Sequence, residues 1–174
     1  MSSADGTAVA TDHEAIFARY HPALHRYLAR LTGDPELAAD LAQEAFVRLL
    51  EQPSPPEQPR PWLFRVATNL VRDSARASQR HRVLDADGRA RGAHGDPPRS
   101  PESAVDRETA RRMTRAALDA LSEKERQALL MREEGFRHRE IADALGTTTG
   151  SIGTLLRRAI EKAAERLRME AEGS

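Results

Sequence analysis

The stretch His138-Arg139-Glu140-Ile141-Ala142-Asp143-Ala144-Leu145-Gly146-Thr147-Thr148-Thr149-Gly150-Ser151-Ile152-Gly153-Thr154-Leu155-Leu156-Arg157-Arg158 decides the reading of this chain. Ile141, Leu145, Ile152 and Leu155 fall at spacings that bury one face of each of two helices. Ala142 is small where the two helices cross, and Gly146 permits a left-handed residue between them. Thr147 or Thr148 supplies a cap for the second helix. The pattern predicts a helix-turn-helix, whose second helix lies in a DNA major groove with its N-terminal side chains against base edges. The positions left facing outward are Thr148, Thr149, Ser151, Gly153, Thr154, Arg157 and Arg158. A helical hairpin with no DNA role shares the periodicity. The agreement of spacing, glycine and threonines favours the DNA-binding reading.

Working outward, Ser122 followed by Glu125 is a capping box, so a helix starts there and stops at Gly135. A further helix is predicted from about Ala104 to Leu121, and the last one from Thr148 to about Met169. Between Val83 and Ser103, Gly88, Gly92, Gly95, Pro97, Pro98 and Pro101 are scattered among charges with few apolar residues. Such a stretch cannot bury enough surface to fold and reads as a flexible linker. Upstream, Ile16, Tyr20, Leu24, Tyr27, Leu28 and Leu31 predict a helix over His13–Leu31, with Pro22 as a kink or break. Gly33-Asp34-Pro35 is a turn that starts a second helix over Pro35–Glu51, with Leu37, Leu41, Phe46, Leu49 and Leu50 inward. Residues 52–61 hold five prolines and predict a loop. A third helix then spans Trp62–Arg80, buried through Trp62, Leu63, Val66, Leu70 and Val71.

The expected fold is therefore all-α, with two small helical domains on a tether. The divisions are a disordered terminus at 1–12, a first domain at 13–82, a flexible linker at 83–105 and a second domain at 106–170. Composition agrees: aromatic residues are 4%, and period-two β-branched runs are missing. There is no cysteine, which excludes disulfides and thiolate metal sites. No apolar stretch is long enough for a membrane span, and the first twelve residues lack a signal-peptide core, so the cytoplasm is the expected location.

The 27 basic residues balance 27 acidic ones, which argues against indiscriminate nucleic-acid binding. The charge is nevertheless segregated. Asp34–Glu51 holds five acids and one arginine, and Arg60–Arg82 six arginines and one aspartate. An acidic helix followed by a basic one points to two different partners. Asp40, Gln43, Glu44 and Arg48 fall at i, i+3, i+4 and i+8 and share one helical face. Charged and planar groups in such a row suit a basic helical partner, although a solvated face has the same pattern. On the third helix Arg65, Arg72, Arg76 and Arg80 recur around Asn69 and Asp73. Arginines so spaced can track phosphates while an amide meets a base edge.

Three stretches carry a resemblance. Leu121-Ser122-Glu123-Lys124-Glu125-Arg126 through Gly150-Ser151-Ile152 resembles region 4 of bacterial RNA polymerase sigma factors. Asp40-Leu41-Ala42-Gln43-Glu44-Ala45-Phe46-Val47-Arg48 is similar to the polymerase-binding motif of their region 2, and Pro61-Trp62-Leu63-Phe64-Arg65-Val66-Ala67-Thr68-Asn69-Leu70 to its −10 element helix. The resemblance spans roughly residues 13–81 and 106–168, and the short connection between them marks the extracytoplasmic-function group. It implies a factor that binds core polymerase and directs promoter recognition, strand opening and initiation. It assigns Asp40, Gln43, Glu44 and Arg48 to the β′ clamp coiled coil, and Arg65, Asn69, Arg72, Asp73, Arg76 and Arg80 to −10 DNA. The second domain would meet the β flap and the −35 element, the latter through the outward residues named above. An anti-sigma factor that clamps both domains is a usual partner in the group. No cofactor, metal or catalytic site is implied.

This sequence departs from the family pattern in two places. The loop before the third helix has no aromatic for a flipped base, and Gly153, Leu155 and Ile160 stand where the family often carries basic residues. Other readings fit less well. A self-sufficient DNA-binding regulator would need a sensor or dimerisation surface, and a sigma-mimicking interaction module would lack base-reading residues. His21 and His25 are four apart but no further ligand completes a metal set. Gly146, Gly150 and Gly153 lack the lysine ending of a phosphate loop.

Overall fold

The computed structural model describes residues 4–84 and 101–172, and the side chains of residues 13–78 and 108–172. Every element among the described residues is helical: α1 Ala4–Thr32, α2 Pro35–Leu50, α3 Pro59–Leu84, α4 Pro101–Asp119, α5 Glu123–Glu133, α6 His138–Leu145 and α7 Thr149–Glu172. The chain divides into two compact units, one built from α1–α3 and the other from α4–α7. α1 begins at Ala4, inside the stretch predicted to be irregular. α3 runs to Leu84 and α4 starts at Pro101, so both reach into the predicted tether. Residues 85–100 of that tether lie outside the described residues.

In the first unit α1 continues through Pro22 without a break. A proline inside a helix forfeits one backbone bond. Here Leu24, Tyr27 and Leu28, all fully buried just downstream, hold the helix against its neighbours. Burying each such side chain contributes roughly 1.5–3 kcal/mol. The chain reverses at Gly33, whose φ of 71° is a conformation that favours glycine. Asp34 then caps α2, its carboxylate accepting from the Glu36 and Leu37 N–H groups at 3.0 and 3.1 Å, with Pro35 as the first helical residue. α2 buries Ala38, Leu41, Ala42, Ala45, Phe46 and Leu49. Leu37 is only half-buried, and Leu50, expected inward, is 61% exposed. Leu50 sits one turn beyond Phe46 and further round the helix, past the edge of the buried stripe.

α3 starts at Pro59 rather than Trp62. Prolines are harmless in a first turn, where the backbone N–H has no intrahelical partner. The buried face of α3 is Leu63, Phe64, Ala67, Thr68 and Leu70. Trp62, Val66 and Val71 are half-buried, so the stripe lies about one residue away from the predicted one. Thr68 hydroxyl donates to the Phe64 carbonyl at 2.7 Å and meets the Tyr27 hydroxyl at 2.8 Å. Its single proton is engaged with the carbonyl, so Tyr27 donates to it. Tyr27 and Phe64 rings also pack at 5.0 Å, which fixes α1 against α3.

In the second unit the predicted capping box is present. Glu125 N–H donates to Ser122 Oγ at 3.4 Å, and Ser122 N–H to Glu125 Oε2 at 2.9 Å. Glu125 is buried, and Lys162 of α7 donates to both its carboxylate oxygens at 2.9 and 2.8 Å. That pair ties the start of α5 to the middle of α7. α7 packs against α4, α5 and α6. Ile141, Ala142 and Leu145 of α6 face Ile152, Leu156 and Ala159 of α7 in the core, with Met131 and Phe136. Leu156, not Leu155, is the buried leucine; Leu155 is half-buried. Gly146 closes α6 at φ 60°, ψ 46°, and Thr147 N–H reaches back to the Ala142 carbonyl at 3.0 Å.

Candidate nucleic-acid and partner interfaces

Three exposed faces contain the residues singled out from sequence. The first is on α2. Because Ala38, Leu41, Ala42, Ala45 and Leu49 point inward, Asp40, Gln43 and Glu44 are left in solvent, with Arg48 half-buried beside them. Arg48 Nε donates to Glu44 Oε1 at 3.0 Å. An exposed pair of this kind contributes roughly 0.3–0.5 kcal/mol, so it organises the face more than it stabilises the helix. Val47, 41% exposed, and Leu50 lie on the same side as Gln43. The face is therefore an acidic row with apolar side chains beside it, the composition of a protein-binding patch. The sequence reading did not single out Val47 and placed Leu50 inward; their positions, four and seven residues after Gln43, were the available signal.

The second face is on α3. Arg65, Asn69, Asp73 and Arg76 are exposed and Arg72 is half-buried; the side chain of Arg80 lies outside the described residues. These positions share the side of α3 opposite Phe64, Ala67 and Thr68. Asp73 lies 3.8 Å from Arg76 Nη1, both largely in solvent. The preceding loop leaves Pro53, Ser54, Glu57 and Gln58 exposed, while Gln52 folds back to donate to the Arg48 carbonyl at 3.1 Å. A surface of three arginines with one amide suits a phosphate-bearing strand whose bases are accessible.

The third face is the start of α7. Thr148, Thr149, Ser151, Gly153, Thr154, Arg157 and Arg158 are all exposed: Thr148 and Thr149 at the open end of the helix, the others outside the buried stripe of Ile152, Leu156 and Ala159. Thr148 and Ser151 hydroxyls bond each other at 2.8 Å, and Arg157 donates to Glu161 at 2.9 Å. The geometry is that of a helix-turn-helix with α6 as the supporting helix and α7 as the presented one.

Glu125, at the start of α5, has a perturbed carboxyl. The Lys162 ammonium bonded to it holds its carboxyl below the usual carboxylate range, helped by Ser122 and opposed by burial. His21, weighed as a metal ligand, stacks on Phe17 at 4.6 Å and lies 5.9 Å from Phe46, with His25 stacked next to it at 6.2 Å. This aromatic cluster between α1 and α2 escaped the sequence reading, although the four-residue spacing of Phe17, His21 and His25 signals it. Among the described residues no group of three His, Cys, Asp or Glu side chains is placed to hold a metal. No described helix is long and apolar enough to cross a membrane.

Two helical units, one with an acidic and a basic face and one with a helix-turn-helix, define a modular DNA-binding protein with a protein partner. The comparisons make that class specific. Residues 16–81 match the family model of sigma-70 region 2, and residues 111–162 that of sigma-70 region 4. The chain is 30% identical over 152 residues to the ECF RNA polymerase sigma factor SigL of Mycobacterium tuberculosis, covering 84% of this chain and 83% of the relative. It is 31% identical over 161 residues to the RNA polymerase sigma factor CarQ of Myxococcus xanthus, covering 88% of each. It is 32% identical over 146 residues to the ECF sigma factor EcfG of Rhodopseudomonas palustris, covering 81% of this chain and 77% of the relative. The fold is similar to that of the sigma factor RpoE, solved with the anti-sigma factor NepR from Bartonella quintana, at a TM-score of 0.71 and 20% identity over 90% of this chain and 97% of that one. The chain belongs to the sigma-70 family, in its extracytoplasmic-function group, and is an RNA polymerase sigma factor that directs promoter-specific initiation of transcription.

Proposed function

We propose that the two units divide the work of initiation between the three faces. The α2 face of Asp40, Gln43, Glu44 and Arg48, with Val47 and Leu50, binds the β′ clamp coiled coil of core polymerase. The α3 face of Arg65, Asn69, Arg72, Asp73 and Arg76, continued by Arg80, holds the non-template strand of the −10 element. Arginines there carry affinity and Asn69 meets a base edge. Gripping an unpaired strand with a base out of the stack makes opening favourable without nucleotide hydrolysis, so the protein acts by binding and has no chemistry of its own. The start of α7 lies in the major groove of the −35 element, and the rest of that unit meets the β flap. The protein works in the cytoplasm, without cofactor, and an anti-sigma factor that clamps both units holds it inactive. The observation that carries this reading is the α2 face, because an acidic row beside exposed Val47 and Leu50 has no use in a protein that only binds DNA.

The test is reconstitution. Core polymerase, this protein and a promoter selected from a randomised library should yield transcripts from one defined start. The Asp40→Lys, Glu44→Lys double variant should fold normally and yield none. Promoter-specific transcripts from the double variant, at wild-type level, would remove the α2 face from the account.

A further inference from the structure

Gly150 and Gly153 lie in the first turns of α7, three residues apart and hence on one side of the helix. Both are exposed. Neither has positive φ, and a Cβ on either would meet no atom within 4 Å. Neither backbone geometry nor packing therefore calls for glycine at these positions. Glycine in a helix instead lowers stability relative to alanine. The two positions share the exposed side of α7 with Thr154 and Arg157. The polar groups in the first turns are short hydroxyls, and some are engaged: Thr148 with Ser151, and Arg157 further on with Glu161. A helix whose first turns present only short side chains and bare its own backbone is built for close approach.

We infer that Gly150 and Gly153 determine how α7 reads the −35 element. This rests on α7 being the helix placed in the groove. The strip without side chains seats the helix backbone closer to the duplex than a side-chain-bearing helix allows. Readout then comes from contact of the backbone and the Thr149 and Thr154 methyls with thymine methyls and the groove walls. Arg158 holds a phosphate. Selectivity follows groove width and methyl pattern more than bidentate hydrogen bonding.

The experiment uses holoenzyme and a duplex selected by wild-type holoenzyme from a library randomised across the −35 position. Gly150→Ala, Gly153→Ala, Gly153→Lys, Arg157→Ala and Arg158→Ala are compared for affinity, with thermal melting as the folding control. The alanine variants should melt no lower than wild type. Gly153→Ala should bind several-fold more weakly, and Gly153→Lys at least tenfold more weakly despite its added positive charge. If Gly153→Lys binds as tightly as wild type or tighter while the arginine variants weaken, α7 still reads the groove and close approach is wrong. If the arginine variants also bind as wild type, the placement of α7 in the groove falls, and the inference falls with it.

Discussion

The two units present opposite kinds of surface. On α2 and α3 the side chains at the surface are long, charged or forked: Asp40, Glu44, Arg65, Asn69 and Arg76 exposed, with Arg48 and Arg72 half-buried beside them. At the start of α7 they are short: three threonines, a serine and two glycines, with arginines only from Arg157 onward. Both units are small helical bundles with well-buried cores, so the contrast lies in what each core leaves outside. Long forked groups discriminate by directed hydrogen bonds and charge. Short ones discriminate by fit. On the proposed reading, most of the affinity for polymerase and most of the base discrimination fall to the first unit, and the second unit contributes position and shape.

Reversing both Asp40 and Glu44 to lysine puts two like charges against a basic partner, at about 2–5 kcal/mol for each buried charge pair lost. Core-polymerase binding, followed by co-elution, should fall by more than a hundredfold, with the helical circular dichroism unchanged. Retained binding would show that the acidic row is only solvated surface. Next, Phe64→Ala removes a fully buried ring from the first unit and should cost about 3–5 kcal/mol in denaturant melts. Phe136→Ala should do the same to the second unit. Two separate transitions, each moved by one variant only, are the expected result of two independent cores. A single transition shifted by both would contradict it.

A third prediction separates the units by pH. Glu125 has a lowered folded pKa, so folding binds fewer protons than unfolding does. Its contribution is complete above the ordinary carboxylate pKa of about 4.3 and fades as pH falls through the lower folded value. The second unit should therefore lose stability in acid, and Glu125→Gln should flatten that loss while costing about 1–3 kcal/mol at neutral pH. An unchanged acid limb in the variant would mean that the Lys162 pair does not control it. The smallest expected effect is in the first unit. Thr68→Val removes the 2.8 Å bond to the Tyr27 hydroxyl and should cost about 0.5–1.5 kcal/mol, with no change in DNA contacts.

Much of this was legible beforehand, for identifiable reasons. The capping box at Ser122 and Glu125, the Asp34-Pro35 start and the Gly146 turn are local motifs, in which neighbouring residues satisfy each other's backbone groups. Periodicity placed the acidic and basic rows outside the buried stripes of α2 and α3. What it misjudged were residues at the edges of buried stripes. Leu50 is exposed, Leu156 is buried in place of Leu155, and Phe64 replaces Trp62 as the buried aromatic of α3. A shift of one residue changes direction by about 100°, and only the neighbouring helices decide which of two adjacent apolar residues is covered. Lys162 reaching Glu125 across 37 positions has no local signature. Pro22 and the prolines at 59 and 61 misled in the other direction, since helix breaking depends on position within the helix and on packing.

The central claim is that promoter discrimination is concentrated on the first unit. Holoenzyme can be made to select from a duplex library randomised across both the −10 and −35 positions, followed by run-off transcription from single-base variants of the selected promoter. The account predicts steep losses at one or two −10 bases, reduced by Asn69→Ala, and shallow losses spread over the −35 positions. One or two −35 bases whose change abolishes transcription, with the −10 positions tolerant, would contradict it.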